Sequence, residues 1–258
     1  MATVLEVEIW SDVVCPWCYI GKRRFENALA ELHEAGDDIE VRAVYRPYQL
    51  DPTASPGKAT PVKDAYAKKF GGPERAEQII GHVTGIAAGE GIEFHMERAL
   101  RANTLLAHRL LLLTETTGHQ GALKERLLRA YFEDGLDVGD PDVLADCAAE
   151  VGLDRDRVRA FLDSDDGVAE VQQWLQVARE SEITAVPTFV FAGPEGQGWM
   201  VPGAQESDVF VQGLRRLADR MRAASPDSPD SPDSPDSPDS PAAPTEATAP
   251  GDTPEADA

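Results

Sequence analysis

Three cysteines are all that the 258 residues carry. That is too few for the disulfide framework of a small secreted scaffold, so stapling is not their task. Long apolar runs are missing as well. The densest patch, Leu110 to Leu113, is four residues, far short of the ~20 that a membrane-spanning helix needs. Met1 to Asp12 holds no basic stretch, and Glu6 and Glu8 interrupt its apolar positions. The pattern of an export signal is absent there, and the expectation is a cytoplasmic protein. Basic residues are outnumbered, 24 Lys and Arg against 46 Asp and Glu, for a formal net charge of −22. Nine of the acids lie from Ala223 onward, where there is no Lys or Arg, so that segment carries −9 and the rest −13. Such a surface repels phosphate backbones and anionic headgroups, which argues against nucleic acid and membrane as partners.

What is present reads first as alternation. Val4 to Trp10 sets Leu5, Val7 and Ile9 on one side against Val4, Glu6 and Glu8, the period of a half-buried strand. It runs straight into Cys15-Pro16-Trp17-Cys18. Ile20, Phe25, Leu29 and Leu32 then recur at helical spacing up to Gly36. Ile39 to Tyr45 alternates again, with Ile39, Val41, Ala43 and Tyr45 on one side. From Thr60 to Glu182 the pattern is helical almost throughout, punctuated at Gly71-Gly72-Pro73, Gly89 to Gly91, Gly118 to Gly121, Asp140-Pro141 and Gly152. Asp140-Pro141 fits an N-cap followed by proline at the first helical position. Thr188 to Phe191 reads as a strand with Trp199 to Val201 as its hairpin partner. Val209, Phe210, Leu214, Leu217 and Met221 then form one face of a last helix.

The class is therefore α/β, with a sheet split in sequence by a helical block. One domain inserted into another is the simplest organisation: residues 1–59 and 183–222 around an insertion at 60–182. From 223 to 258 the chain changes character. Ser-Pro-Asp repeats five times from Ser225 to Asp239, and nothing larger than Ala is apolar after it. Proline at every third position removes backbone donors, so this tail is expected to be disordered.

A lone Cys-x-x-Cys is either half a zinc site or a redox dithiol. Zinc needs two further ligands at close spacing. Cys147 is alone, and His33, His82, His95, His108 and His119 show no such pairing, so no metal is expected. A strand before the motif and a helix after it are the context of a dithiol at a helix N-terminus. There Cys15 is expected to be the exposed nucleophile, its pKa drawn below the ~8.5 of a free thiol by the helix end. Cys18, one turn inside, would resolve the mixed disulfide. Pro16 fixes φ in the first turn, and Trp17 offers a flat apolar surface to a substrate. Asp12, three residues before Cys15, is placed to tune the thiols or to cap the helix, and capping is the simpler reading. Cys147, on an apolar helical face, reads as a packed small hydrophobe.

These residues carry a resemblance. Ser11-Asp12-Val13-Val14-Cys15-Pro16-Trp17-Cys18-Tyr19-Ile20-Gly21-Lys22 resembles the active-site signature of the DsbA family of thiol–disulfide oxidoreductases, in its FrnE-like branch. The match continues through Asn103-Thr104, Ala107-His108-Arg109-Leu110, Tyr131-Phe132, Val186-Pro187-Thr188-Phe189-Val190-Phe191 and Gly203-Ala204-Gln205, over about residues 4 to 222. It implies a thioredoxin-like fold with a large all-helical insertion, and Val186-Pro187 as a cis peptide facing the dithiol. It implies disulfide-containing protein or small-molecule thiol substrates, a redox partner, and no cofactor. Ala185 stands where that branch often has Gly, and the acidic tail has no counterpart. Asn103 and His108 match a motif, but five positions on a straight helix set them roughly 140° apart. Packing accounts for His108 as well as catalysis does.

Two rival activities follow from the same residues. Related folds with a similar insertion act as glutathione-dependent isomerases or transferases, although those relatives usually carry Ser at the position of Cys15. A chaperone-like binding module, with an apolar groove around Trp17, would leave the cysteines incidental.

Overall fold

Strand β1 (Thr3–Ser11) is buried at Leu5, Val7 and Ile9, the side that alternation assigns to the core. Helix α1 (Pro16–Glu34) crosses from its end to β2 (Ile39–Pro47), which pairs with β1 in parallel, Ile9 opposite Tyr45. The other side of β1 is taken by β5 (Thr188–Phe191), antiparallel, with Ile9 opposite Phe189. β6 (Trp199–Pro202) closes the hairpin and the sheet order is β2-β1-β5-β6. The sheet thus draws its middle from both ends of the sequence. The computed structural model describes residues 2–194 and 198–224. The last helix runs through Ala223, one residue into the segment expected to be disordered, and the remainder of that tail, 225–258, lies outside the described residues.

Between β2 and β5 the chain is helical apart from one short ribbon, β3 (Thr60–Pro61) against β4 (Leu100–Arg101). The helices are α2 (Val62–Phe70), α3 (Pro73–Gly89), α4 (Leu105–Leu113), α5 (Gln120–Phe132), α6 (Pro141–Glu150), α7 (Arg155–Asp163) and α8 (Val168–Glu180). Their ends fall where the punctuation stands. Asp140 caps α6 by accepting from the Asp142 and Val143 amides, with Pro141 in the first turn. On β2 the expected apolar face is only partly covered, since Ala43 is exposed and Tyr45 alone is fully buried there.

Two cores result. One lies between the sheet and the pair α1 and α9 (Ser207–Ala223), where Phe25, Phe189 and Phe210 meet with ring centroids 4.5–5.3 Å apart. The other fills the helical block around Leu110, Leu127, Leu128 and Phe132, with Cys147 buried in it. Helix α1 belongs to both. Phe25, Ala28 and Leu32 enter the first core, while Tyr19 and Ile20 enter the second. Tyr19 Oη lies 2.9 Å from a carboxylate oxygen of both Glu125 and Glu133, its one hydrogen shared between them, and Lys22 Nζ donates to Glu125 at 2.5 Å, which fastens α1 to α5.

Candidate active site

The dithiol lies at the seam. Trp10, Cys15, Cys18, Ala178, Ile183 and Val186 form a third, small cluster between the two cores. Trp174 of α8 packs edge-on to Trp10 at 5.9 Å and lies under the Arg46 guanidinium at 3.9 Å. Both cysteines are free and both are buried, Cys15 at 2% exposure. That corrects the expectation of an exposed Cys15: the loop carrying Val186 folds over it, and the Val186 carbonyl lies 3.6 Å from its sulfur. Cys15 is the N-cap of α1 in extended conformation, and its carbonyl receives the Cys18 amide at 3.0 Å. The Val186–Pro187 peptide is cis. Trp17 remains outside at 38% exposure, while Pro16 is buried.

The electrostatics also differ from a simple helix-end picture. The Cys15 thiol has one hydrogen and two acceptors facing it, Cys18 and the Val186 carbonyl. Contact with Cys18, then burial, then the charge on Cys18 hold Cys15 well above an ordinary thiol, not below it. For Cys18, burial opposes ionisation, but the Cys15 thiol, the Lys124 charge, the Ser11 hydroxyl and the Asp12 backbone outweigh it, and Cys18 is lowered. Two sulfurs in contact cannot readily both ionise, so the dithiol titrates as one coupled pair.

Asp12 does not cap α1. Its Oδ1 accepts from the Val13 amide and its Oδ2 from the Leu50 amide, both 2.8 Å, so the carboxylate ties the β1–α1 loop to the segment after β2. His108 Nε2 lies 3.1 Å from Asp12 Oδ1 and 3.0 Å from the Tyr48 carbonyl. Both partners are acceptors, so Nε2 carries the hydrogen. His108 is thus a buried strut for Asp12. Asn103 precedes α4 rather than sitting on it, so the 140° argument has no helix to act on. Its Oδ1 accepts from the Leu105 amide and its Nδ2 donates to the Ala54 carbonyl at 2.7 Å. Of the residues singled out from sequence, Asp12, Pro16, Val186 and Pro187 gather around the two cysteines, and Asn103 does not.

Sequence reasoning missed Lys124. It is completely buried in α5, 5.7 Å over the Tyr45 ring, and its Nζ has no hydrogen-bond partner among the described residues. A signal existed: Lys124 shares a helical face with Leu127, Leu128 and Tyr131, all buried. Also beside the dithiol loop opens a cleft of about 630 Å³, lined by Val14, Leu50, Val62, Tyr66, Phe70 and Tyr131.

Residues 6–215 match the family profile of the DSBA-like thioredoxin domain. YwbO of Bacillus subtilis (strain 168), itself uncharacterized, is 29% identical over 223 residues, covering 81% of this chain and 96% of that one. Among solved structures, SCO1869 of Streptomyces coelicolor, a probable DsbA oxidoreductase, superposes with a TM-score of 0.74 at 35% identity, over 83% of this chain and 89% of the other. The cytosolic disulfide reductase DsbM of Pseudomonas aeruginosa, solved with glutathione, superposes at 0.54 with 17% identity, over 82% and 98%, a likeness of fold.

Proposed function

We propose, for a chain that belongs to the DSBA-like thioredoxin domain family, that it is a thiol–disulfide oxidoreductase whose redox pair is Cys15 and Cys18. The observation that supports the reading is a free dithiol at the start of α1, with the Val186 carbonyl 3.6 Å from the Cys15 sulfur. As a substrate disulfide approaches, the proton of Cys15 passes to Cys18 along their contact. The Cys15 thiolate attacks one substrate sulfur, a Cys15–substrate disulfide forms, and the other substrate sulfur leaves as a thiolate. Cys18 then gives its proton to the departed substrate thiolate and attacks Cys15. The Cys15–Cys18 bond forms, the mixed disulfide breaks, and the substrate departs reduced by two electrons. Run backwards, the same steps oxidise a dithiol.

Pro16, Trp17, Val186 and Pro187 would hold the substrate. Trp17 presents an exposed ring, and the Val186 loop presents backbone, which recognises an extended chain without regard to its side chains. Residues 1–59 and 183–222 act as the thioredoxin-like unit and 60–182 as the insertion that roofs the dithiol. A protein or small-molecule disulfide is the substrate class, in a reducing cytoplasm. Reduction of insulin by the full chain tests this: Cys15→Ser and Cys18→Ser should each abolish turnover, and wild-type turnover by Cys15→Ser would end the proposal.

A further inference from the structure

Resolution demands that Cys18, buried at the seam, ionise a second time once Cys15 is tied to substrate. At that moment the contact with a Cys15 thiol is gone, and burial opposes ionisation of Cys18 while the Lys124 charge, the Ser11 hydroxyl and the Asp12 backbone favour it. One full cation is buried with it. Lys124 reaches from α5 under the β2–α1 layer, fully enclosed, its Nζ without a hydrogen-bond partner among the described residues and facing the Tyr45 ring. A buried ammonium left unpaired is unfavourable unless a nearby anion compensates it. The groups that face it are Cys15, Cys18 and Lys22 from α1, Asp12 from the β1–α1 loop, and Tyr45 from β2. Asp12 is already spent on two backbone amides and His108. Lys22 is engaged with Glu26 and Glu125. Cys18, once ionised, is the facing group with no competing ion pair among the described residues.

We propose that Lys124 is the counter-charge of the Cys18 thiolate, supplied by the helical insertion, and that it sets the rate at which mixed disulfides are resolved. This rests on the dithiol reading above. Lys124 touches neither substrate nor a reacting bond; it is a positioning residue that acts through Cys18. Deprotonated Cys18 attacks Cys15 and the substrate thiolate leaves, so Lys124 neither gains nor loses a bond in the step. Its field raises the fraction of Cys18 present as thiolate. Each unit by which the Cys18 midpoint falls multiplies that fraction about tenfold and reduces nucleophilicity about threefold, a net gain of about threefold per unit.

The test uses the full chain with Cys15→Ser and Cys147→Ala, which leaves Cys18 as the lone thiol, and follows thiolate ultraviolet absorbance against pH. Lys124→Met should raise the midpoint by more than one pH unit, and Lys124→Arg should restore much of the difference. In the chain with all three cysteines, Lys124→Met should accumulate the Cys15 mixed disulfide several-fold at neutral pH. Raising the pH should close the gap, which a purely structural defect would not do. Lys124→Gln serves as the second neutral variant should Met not fold. An unchanged midpoint in a neutral variant that melts like wild type, or wild-type resolution rates, would overturn the proposal. Should Cys18→Ser reduce insulin as fast as wild type, the dithiol reading itself falls, a result distinguishable from any behaviour of Lys124.

Discussion

Cys147 and the redox pair are both buried, yet their surroundings ask different things of a sulfur. Burial in the helical core pushes the Cys147 thiol up to about 11 from an ordinary 9.0, with no thiol beside it to share a proton. A thiol raised in the folded state contributes stability that is whole below about pH 9 and is lost as pH rises toward about 11. Cys147→Ala should therefore flatten the alkaline limb of the melting temperature between those values while leaving insulin reduction intact. Alkylation mapping at neutral pH should find Cys147 unlabelled in the native protein. His108 is a second case. Replacing it with Ala empties a buried site and strips the Tyr48 carbonyl of its donor, so unfolding should become easier by about 2–5 kcal/mol. A loss below about 1 kcal/mol in denaturant titration would contradict the strut.

Elements were legible where local chemistry settles them. The alternation of Leu5, Val7 and Ile9, the Asp140-Pro141 cap and the Thr188 to Phe191 strand each follow from a few neighbouring residues. The ribbon of β3 and β4 was not, because two-residue strands leave no period to read. Asp12 was misread for a related reason. Its sequence distance from the helix suits a cap, but its carboxylate is claimed by Leu50 and His108, partners that only the tertiary fold brings near. The burial of Cys15 was missed likewise, since its cover at Val186 stands 171 positions along the chain. Helix α1 offers a sharp test at this scale. A Cβ on Gly21 would stand 2.9 Å from the Pro187 ring and 3.3 Å from the Ala204 backbone. Gly21→Ala gains helix propensity of up to about 1 kcal/mol, but must push the Pro187 loop away, at a cost of about 1–3 kcal/mol. The variant should melt lower than wild type and exchange more slowly. Equal or higher melting with full activity would show that the loop yields freely.

At the scale of the whole molecule, the two cores are joined through one helix. Tyr19 and Phe25 lie less than two turns apart on α1 yet face different cores, so neither core can loosen without disturbing the other. Thermal unfolding should be a single transition, with the tryptophan signal of Trp10 and Trp174 coinciding with loss of helix. Two separated transitions would show that the insertion melts on its own.

The 171 residues between Cys15 and its cover at Val186 also have a meaning in time. A ribosome adding about 5–20 residues per second delivers Val186 roughly 10–30 seconds after Cys15. Once the cysteines have left the ribosome, the nascent chain displays both to the surrounding medium before the Val186 loop is in place. The enzyme that exchanges disulfides begins life as an unprotected thiol, and its own synthesis is the moment at which it is most open to being oxidised.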